Sequence, residues 1–152
     1  MQLAYTYNTS LGKITIVEEN QQIIQISFGE NKLENVQTQQ TQLIKQKYEQ
    51  ITQYLEGKRK EFNVPINPKG TPFQQKVWKA LLTIPYGKTS SYQEIAQKIG
   101  NPKGSRAVGM ANHNNPIAII IPCHRVIGKN GKLVGYAGGI TIKEKLLKLE
   151  QK

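Results

Sequence analysis

Near residue 70 the chain changes its hydrophobic period, and that switch limits the folds open to it. Before it, "QLAYTYN", "GKITIVE" and "QIIQISF" are rich in β-branched and aromatic residues and alternate in part, which reads as strands. "NTSLG" and "ENQQ" between them read as turns, so three strands in succession predict an antiparallel meander. "TQLIKQKYEQITQYLEG" follows, with Ile44, Tyr48, Ile51 and Leu55 on one helical face and Gly57 as its stop. "EFNVPI" reads as a further strand, and "NPKGTP" as a linker. After the linker, helix starts take over. Thr71, Pro72 and Gln74, then Ser91 and Glu94, then Thr141 and Glu144 form capping-box patterns. Phe73, Val77, Leu81 and Ile84 share a face, with Trp78 and Leu82 beside it. The expected fold class is α/β of the α+β kind. A small N-terminal antiparallel sheet with one helix fills residues 1–68, and a mostly helical C-terminal domain fills residues 69–152.

Charge follows the same division. Residues 1–70 carry eight Lys and Arg against seven Glu, while residues 71–152 carry thirteen against three. The formal net charge of +11 therefore sits almost wholly in the helical half, which points to a polyanion such as nucleic acid. There is no Asp, so any carboxylate role falls to Glu. One Cys excludes an internal disulfide and a thiolate-cluster zinc site, and two His make a structural metal an unexpected feature. No apolar run reaches the roughly 18 residues of a membrane span, and the N-terminus lacks signal-peptide character. A cytoplasmic protein without membrane contact, metal or cofactor is expected.

Four stretches can carry chemistry. "SYQEIAQKIGNPKGSRAVGMANHN" reads as two short helices around a tight turn, either a helix-turn-helix or a plain helical hairpin. Its second helix offers Ala107, Gly109 and Ala111 with Arg106 as the one long basic residue, which favours shape or minor-groove binding over base reading. In "NNPIAIIIPCHRV" a short apolar run suits a buried extended segment that delivers Cys123 at its exit. That thiol is either an inert small hydrophobe or a nucleophile that needs a base, and His124 would reach it through a water. Glu150 falls at the edge of the Ile142, Leu146, Leu149 stripe, either as a rim charge or as the orienter of a histidine. "GYAGGI" is either a surface loop or a backbone cap over a flat ligand.

Taken together, "IPCHRV", "SYQEIA", "NPKGSRAVGMA", "NNP" and "GYAGG" resemble, in order and spacing, the O6-alkylguanine-DNA alkyltransferases, also called methylated-DNA–protein-cysteine methyltransferases. The resemblance is specific over residues 71–150 and architectural over residues 1–70, where that family has a small ribonuclease-H-like domain. It implies DNA repair by direct damage reversal on double-stranded DNA, with the alkylated base flipped out of the stack. Cys123 would take the alkyl group from O6-methylguanine irreversibly, one lesion per chain, and O4-methylthymine stands as a second lesion. His124 would deprotonate Cys123 through a water, Glu150 would orient His124, Asn115 would brace the turn, and Tyr92 would donate to guanine N3. The carbonyls of Cys123 and Val126 would accept from the guanine amino group. Tyr136, Ala137 and Gly138 would cap the base, with the Ala137 N–H near O6. Arg106 would fill the gap left by the flipped nucleotide, with Lys103, Ser105, Ala107, Gly109 and Tyr92 against the DNA.

The chain also departs from some relatives. Ala137 stands where they have Ser, Asn112 where they have an apolar residue and Ala118 where they have Pro. The N-terminal zinc ligands of some members are missing. Three rival readings remain: an alkyl-lesion-binding protein without transfer, a DNA-binding module with a structural Cys123, and a cysteine hydrolase using Cys123, His124 and Glu150. A monomer is expected.

Overall fold

The computed structural model describes residues 1–30, 34–128, 131, 133, 135, 136 and 138–151, which form two compact units, Met1–Pro68 and Lys69–Lys152.

In the first unit, β1 (Gln2–Thr9), β2 (Gly12–Glu19) and β3 (Gln22–Phe28) make the expected antiparallel meander. A fourth strand, β4 (Val36–Thr38), lies parallel to β1 and gives the sheet the order β3-β2-β1-β4. Three residues carry too little alternation to announce such a strand. Central β2 is buried from Ile14 through Glu18, so its alternation is hidden because both sheet faces are covered. One face packs Ile14, Ile16 and Ile26 with the helix α1 (Gln42–Leu55), and Ala4, Val17 and Ile24 form a smaller cluster with Val36. "EFNVPI" forms no strand. It contributes only an isolated bridge, Ile66 to Ile23; Pro65 lacks the N–H that a continued ladder needs.

Thr41 caps α1 by accepting from the Ile44 N–H at 3.1 Å. The buried face meets the predicted one only at Ile44 and Ile51. Ile44, Lys47, Gln50, Ile51 and Tyr54 are buried, while Tyr48 and Leu55 are half-buried. Tyr48 instead stacks on Tyr7 of β1, ring centroids 3.8 Å apart. The helix is therefore rotated toward a polar pair, Lys47 and Gln50, that an apolar pattern cannot reveal.

The second unit holds α2 (Pro72–Leu81), α3 (Tyr92–Lys98), α4 (Ser105–His113) and α5 (Ile140–Glu150), and both α2 and α5 pack on the turn Cys123–Arg125. The capping boxes at Thr71 with Gln74 and at Ser91 with Glu94 both form. The third does not: α5 starts at Ile140 after Gly139 (φ +97°), which places Thr141 inside the helix, and its cap has no side-chain bond. Trp78 Nε1 donates to the Ala111 carbonyl at 2.9 Å and ties α2 to α4. Gly100 (φ +81°) ends α3 in the left-handed region that spares glycine a steric penalty. α3 and α4 then pack together as a helix-turn-helix pair.

A two-residue parallel ladder matters most for the site. β5 (Ser90–Ser91) pairs with β6 (Val126–Ile127). It fastens the start of α3, where Tyr92 stands, to the chain just past Cys123. Among the described residues no helix is long and apolar enough to cross a membrane, and no group of three His, Cys, Asp or Glu could hold a metal ion.

Candidate active site

The segment before Cys123 is buried as expected but is not extended. Ile117 to Ile121 close a turn in which the Ile121 N–H donates to the Ile117 carbonyl at 3.1 Å. Ile119 takes φ +72°, costly for a β-branched residue, by about 1–2 kcal/mol. Asn115 holds the turn from both sides. Its Nδ2 donates to the Ile121 carbonyl at 2.8 Å and its Oδ1 accepts from the Ile117 N–H at 3.0 Å. The turn runs into a short 3-10 helix, Cys123–Arg125, wholly buried.

Cys123 is a free thiol, 5% exposed. Burial pushes its pKa up, while Asn115 and Lys143 pull it down. The resting sulfur therefore keeps its proton and needs a base to become a nucleophile. His124 is fully buried and its Nε2 lies 2.8 Å from Glu150 Oε2. Burial pushes the imidazole below its ordinary range, with Glu150 opposing and Arg125 and Lys143 adding to the effect. Against an ionised Glu150, Nε2 is the N–H donor, so the basic lone pair of the ring is at Nδ1.

Glu150 is buried, not a rim charge. Its Oε1 accepts from Arg125 Nε at 2.8 Å and the Gly87 N–H at 3.2 Å; its Oε2 accepts from His124 and from Arg125 Nη2 at 3.0 Å. Arg125 Nη1 donates to the Ile84 carbonyl at 2.7 Å. Arg125 went unremarked in the sequence because only a fold brings Glu150 to it. Lys143 was also missed. It lies fully buried on α5, and its Nζ donates to the Val126 carbonyl at 2.5 Å. Burial holds its pKa down at about 8, with Cys123 pulling the other way. A signal existed: Lys143, Leu146 and Glu150 stand three and four residues apart, one helical face with a charge at each end, and that is the face α5 buries.

Tyr92 and Arg106 share one face of the unit. They line a groove of about 600 Å³ with Ser91, Gln93, Ser105 and Gly109. Burial and the nearby Cys123 both raise the Tyr92 pKa, so its hydroxyl stays a donor. Arg106, Lys103, Ser105 and Ala107 are exposed, and Gly109 is half-buried. Tyr136 is buried, and its carbonyl accepts from the Gly139 N–H at 2.9 Å beside half-buried Gly138. Ala137 lies outside the described residues. The Val126 carbonyl already accepts from Lys143, and that of Cys123 accepts from the Val126 N–H, so each has one lone pair left for a ligand.

Two family models cover nearly the whole chain. The 6-O-methylguanine DNA methyltransferase ribonuclease-like domain matches residues 3–68, and the DNA binding domain of the same family matches residues 72–152. The chain belongs to the 6-O-methylguanine DNA methyltransferase family. Among its relatives in that family, the methylated-DNA–protein-cysteine methyltransferase of Methanosarcina acetivorans is 48% identical over 95% of each chain. The constitutive methylated-DNA–protein-cysteine methyltransferase of Bacillus subtilis is 44% identical over 96% of this chain and 93% of its own. The crystal structure of Mycobacterium tuberculosis OGT in complex with DNA superposes with a TM-score of 0.93 at 45% identity, over 98% of this chain and 92% of that one.

Proposed function

We propose that this chain repairs alkylated duplex DNA by moving the alkyl group from O6 of guanine to Sγ of its own Cys123, once per chain. The observation that supports this most is the buried, free Cys123 followed directly by a His whose ring is hydrogen-bonded to a buried carboxylate. In a family of methylated-DNA–protein-cysteine methyltransferases, that set supplies a nucleophile, a base and an orienter.

The step balances as follows. The Cys123 thiol proton passes to the His124 imidazole through an intervening water. The S–C bond forms as the C–O6 bond breaks, and guanine leaves with its developing negative charge met by the Tyr92 hydroxyl proton at N3. Asn115 fixes the turn that carries the sulfur. A thioether is the product, and nothing in the site regenerates the thiol, so turnover stops at one. The basic second unit meets the phosphates, the α4 face with Lys103, Ser105, Ala107 and Gly109 approaches the minor groove, and Arg106 occupies the gap of the flipped nucleotide. Tyr136, Ala137 and Gly138 cap the base. The chain acts as a monomer in a reducing compartment such as the cytoplasm, where its acceptor stays a thiol. O4-methylthymine is a second substrate of the same site.

Intact-mass spectrometry after mixing with a duplex containing O6-methylguanine tests this. A gain of one methylene mass, mapped to Cys123 and saturating at one per chain, is expected, and Cys123→Ala loses it. Tight lesion binding with no mass gain would make the chain a damage-recognition protein instead.

A further inference from the structure

Glu150 differs from the carboxylate of a simple Cys-His-acid relay in that its charge is already spoken for. A relay carboxylate stabilises the imidazolium by leaving a net negative charge beside the ring. Here both oxygens of Glu150 are held in a fork by Arg125, at 2.8 and 3.0 Å, with both side chains buried. A bidentate guanidinium is among the strongest partners a carboxylate finds, and its charge is permanent. The Nη1 bond to the Ile84 carbonyl and the Tyr86 ring, 5.7 Å from the guanidinium carbon, lock the fork in place.

We propose that Arg125 is a positioning residue that neutralises Glu150, so that Glu150 aims His124 without charging it. The inference rests on the proposed function for its meaning, since an uncharged imidazole is the form that can accept the Cys123 proton.

The groups facing His124 all enter this balance. α5 brings Glu150 and Lys143, the 3-10 turn brings Cys123 and Arg125, and the turn after α2 brings Tyr86 against Arg125 and Glu150. The charged residues of α2 itself, Lys76 and Lys79, are exposed. Removing the guanidinium charge leaves Glu150 as an unbalanced anion 2.8 Å from the ring. The imidazolium is then favoured, and His124 fills with protons at a pH where the native base is empty.

The test uses the full chain and reads His124 directly. Only two His are present, His113 and His124, so the His124 ring signals are readily assigned by NMR. Arg125→Met should move the His124 midpoint upward by about one pH unit or more. Arg125→Lys, which keeps the charge and loses the fork, should lie between the two. Arg125→Met combined with Glu150→Gln removes both charges and should bring the midpoint back down. In transfer assays the acid limb of the rate profile should follow the same order, with Arg125→Met losing about fivefold at the native midpoint for a one-unit shift and recovering at higher pH. A purely structural arginine would lower the rate equally at every pH, leave the His124 midpoint fixed and make the double variant worse than either single one; that pattern overturns the proposal. Failure of the native chain to gain alkyl mass would sink the proposed function alone, because the NMR midpoints need no transfer.

Discussion

Glu150 accepts hydrogen bonds from His124, Arg125 and the Gly87 N–H, and this density makes it a sensitive single position in the second unit. Glu150→Gln keeps the shape and deletes the charge. It leaves the Arg125 guanidinium buried beside a neutral amide, and breaking one half of a buried pair costs about 3–5 kcal/mol. The expected outcome is a large fall in the urea midpoint together with slower alkyl transfer. Transfer at the native rate would show that orientation by Glu150 is dispensable. His124 adds an acid limit. Its pKa is lowered by burial, so between its folded value and about 6.5 the unfolded chain binds the proton that the folded chain refuses. Stability is complete above that range and declines as pH falls through it.

At the scale of elements, α4 carries a distinct expectation. Its outward face runs Arg106, Ala107, Met110 and His113, with Met110 66% exposed and Gly109 between the helix and Tyr92. A methyl group added at Gly109 would meet the Tyr92 ring at 3.8 Å, an ordinary contact, so the fold accepts Gly109→Ala. Helix propensity alone favours it by about 0.5–1 kcal/mol. The expected result is an equal or higher melting temperature with duplex affinity lowered about tenfold, the equivalent of about 1.4 kcal/mol, read by fluorescence anisotropy. Unchanged affinity would move the DNA off this face.

Much of this element plan is legible in the sequence, for identifiable reasons. Two capping boxes announce α2 and α3 because cap bonds are local. The third misleads because Thr141 and Glu144 fit the pattern two residues too late; left-handed Gly139 lets the chain turn into the helix earlier. The turn before Cys123 reads as extended because five apolar residues carry no sign of the positive φ at Ile119. Cys123, His124 and Asn115 are legible through their motif. Arg125 is not, because its partner is 25 residues away and only packing brings them together, and Lys143 shows only as one end of the face it shares with Leu146 and Glu150.

Across the whole molecule, among the described residues, each unit buries one lysine whose ammonium is disfavoured, and this links stability to pH in the alkaline range. Lys47 of α1 is buried with its Nζ 5.2 Å from the Phe62 ring centroid, and no hydrogen-bond acceptor meets it among the described residues. Burial, with the charge of Arg59 adding to it, lowers its pKa to about 8, and burial lowers that of Lys143 to about 8 as well. Below pH 8 both states of the chain hold these protons, and the folded state bears the cost of the buried charge. Between about 8 and the unfolded value near 10.4, the unfolded chain binds more protons, so stability rises with pH. Cys123 and Tyr7, Tyr86 and Tyr92 act in the opposite sense, because burial raises their pKa values and the folded state keeps protons the unfolded state sheds above about 9 to 10. The lysine effect therefore shows best as a difference between variants. Lys47→Met replaces the buried amine with an apolar chain one atom shorter, so it should raise the urea midpoint at pH 7 and shrink the advantage as pH climbs from 8 to 10. A constant offset across that range would mean Lys47 titrates at its ordinary value and finds a partner in solution. A loss of stability at pH 7 would mean that the cation over Phe62 outweighs the cost of its burial.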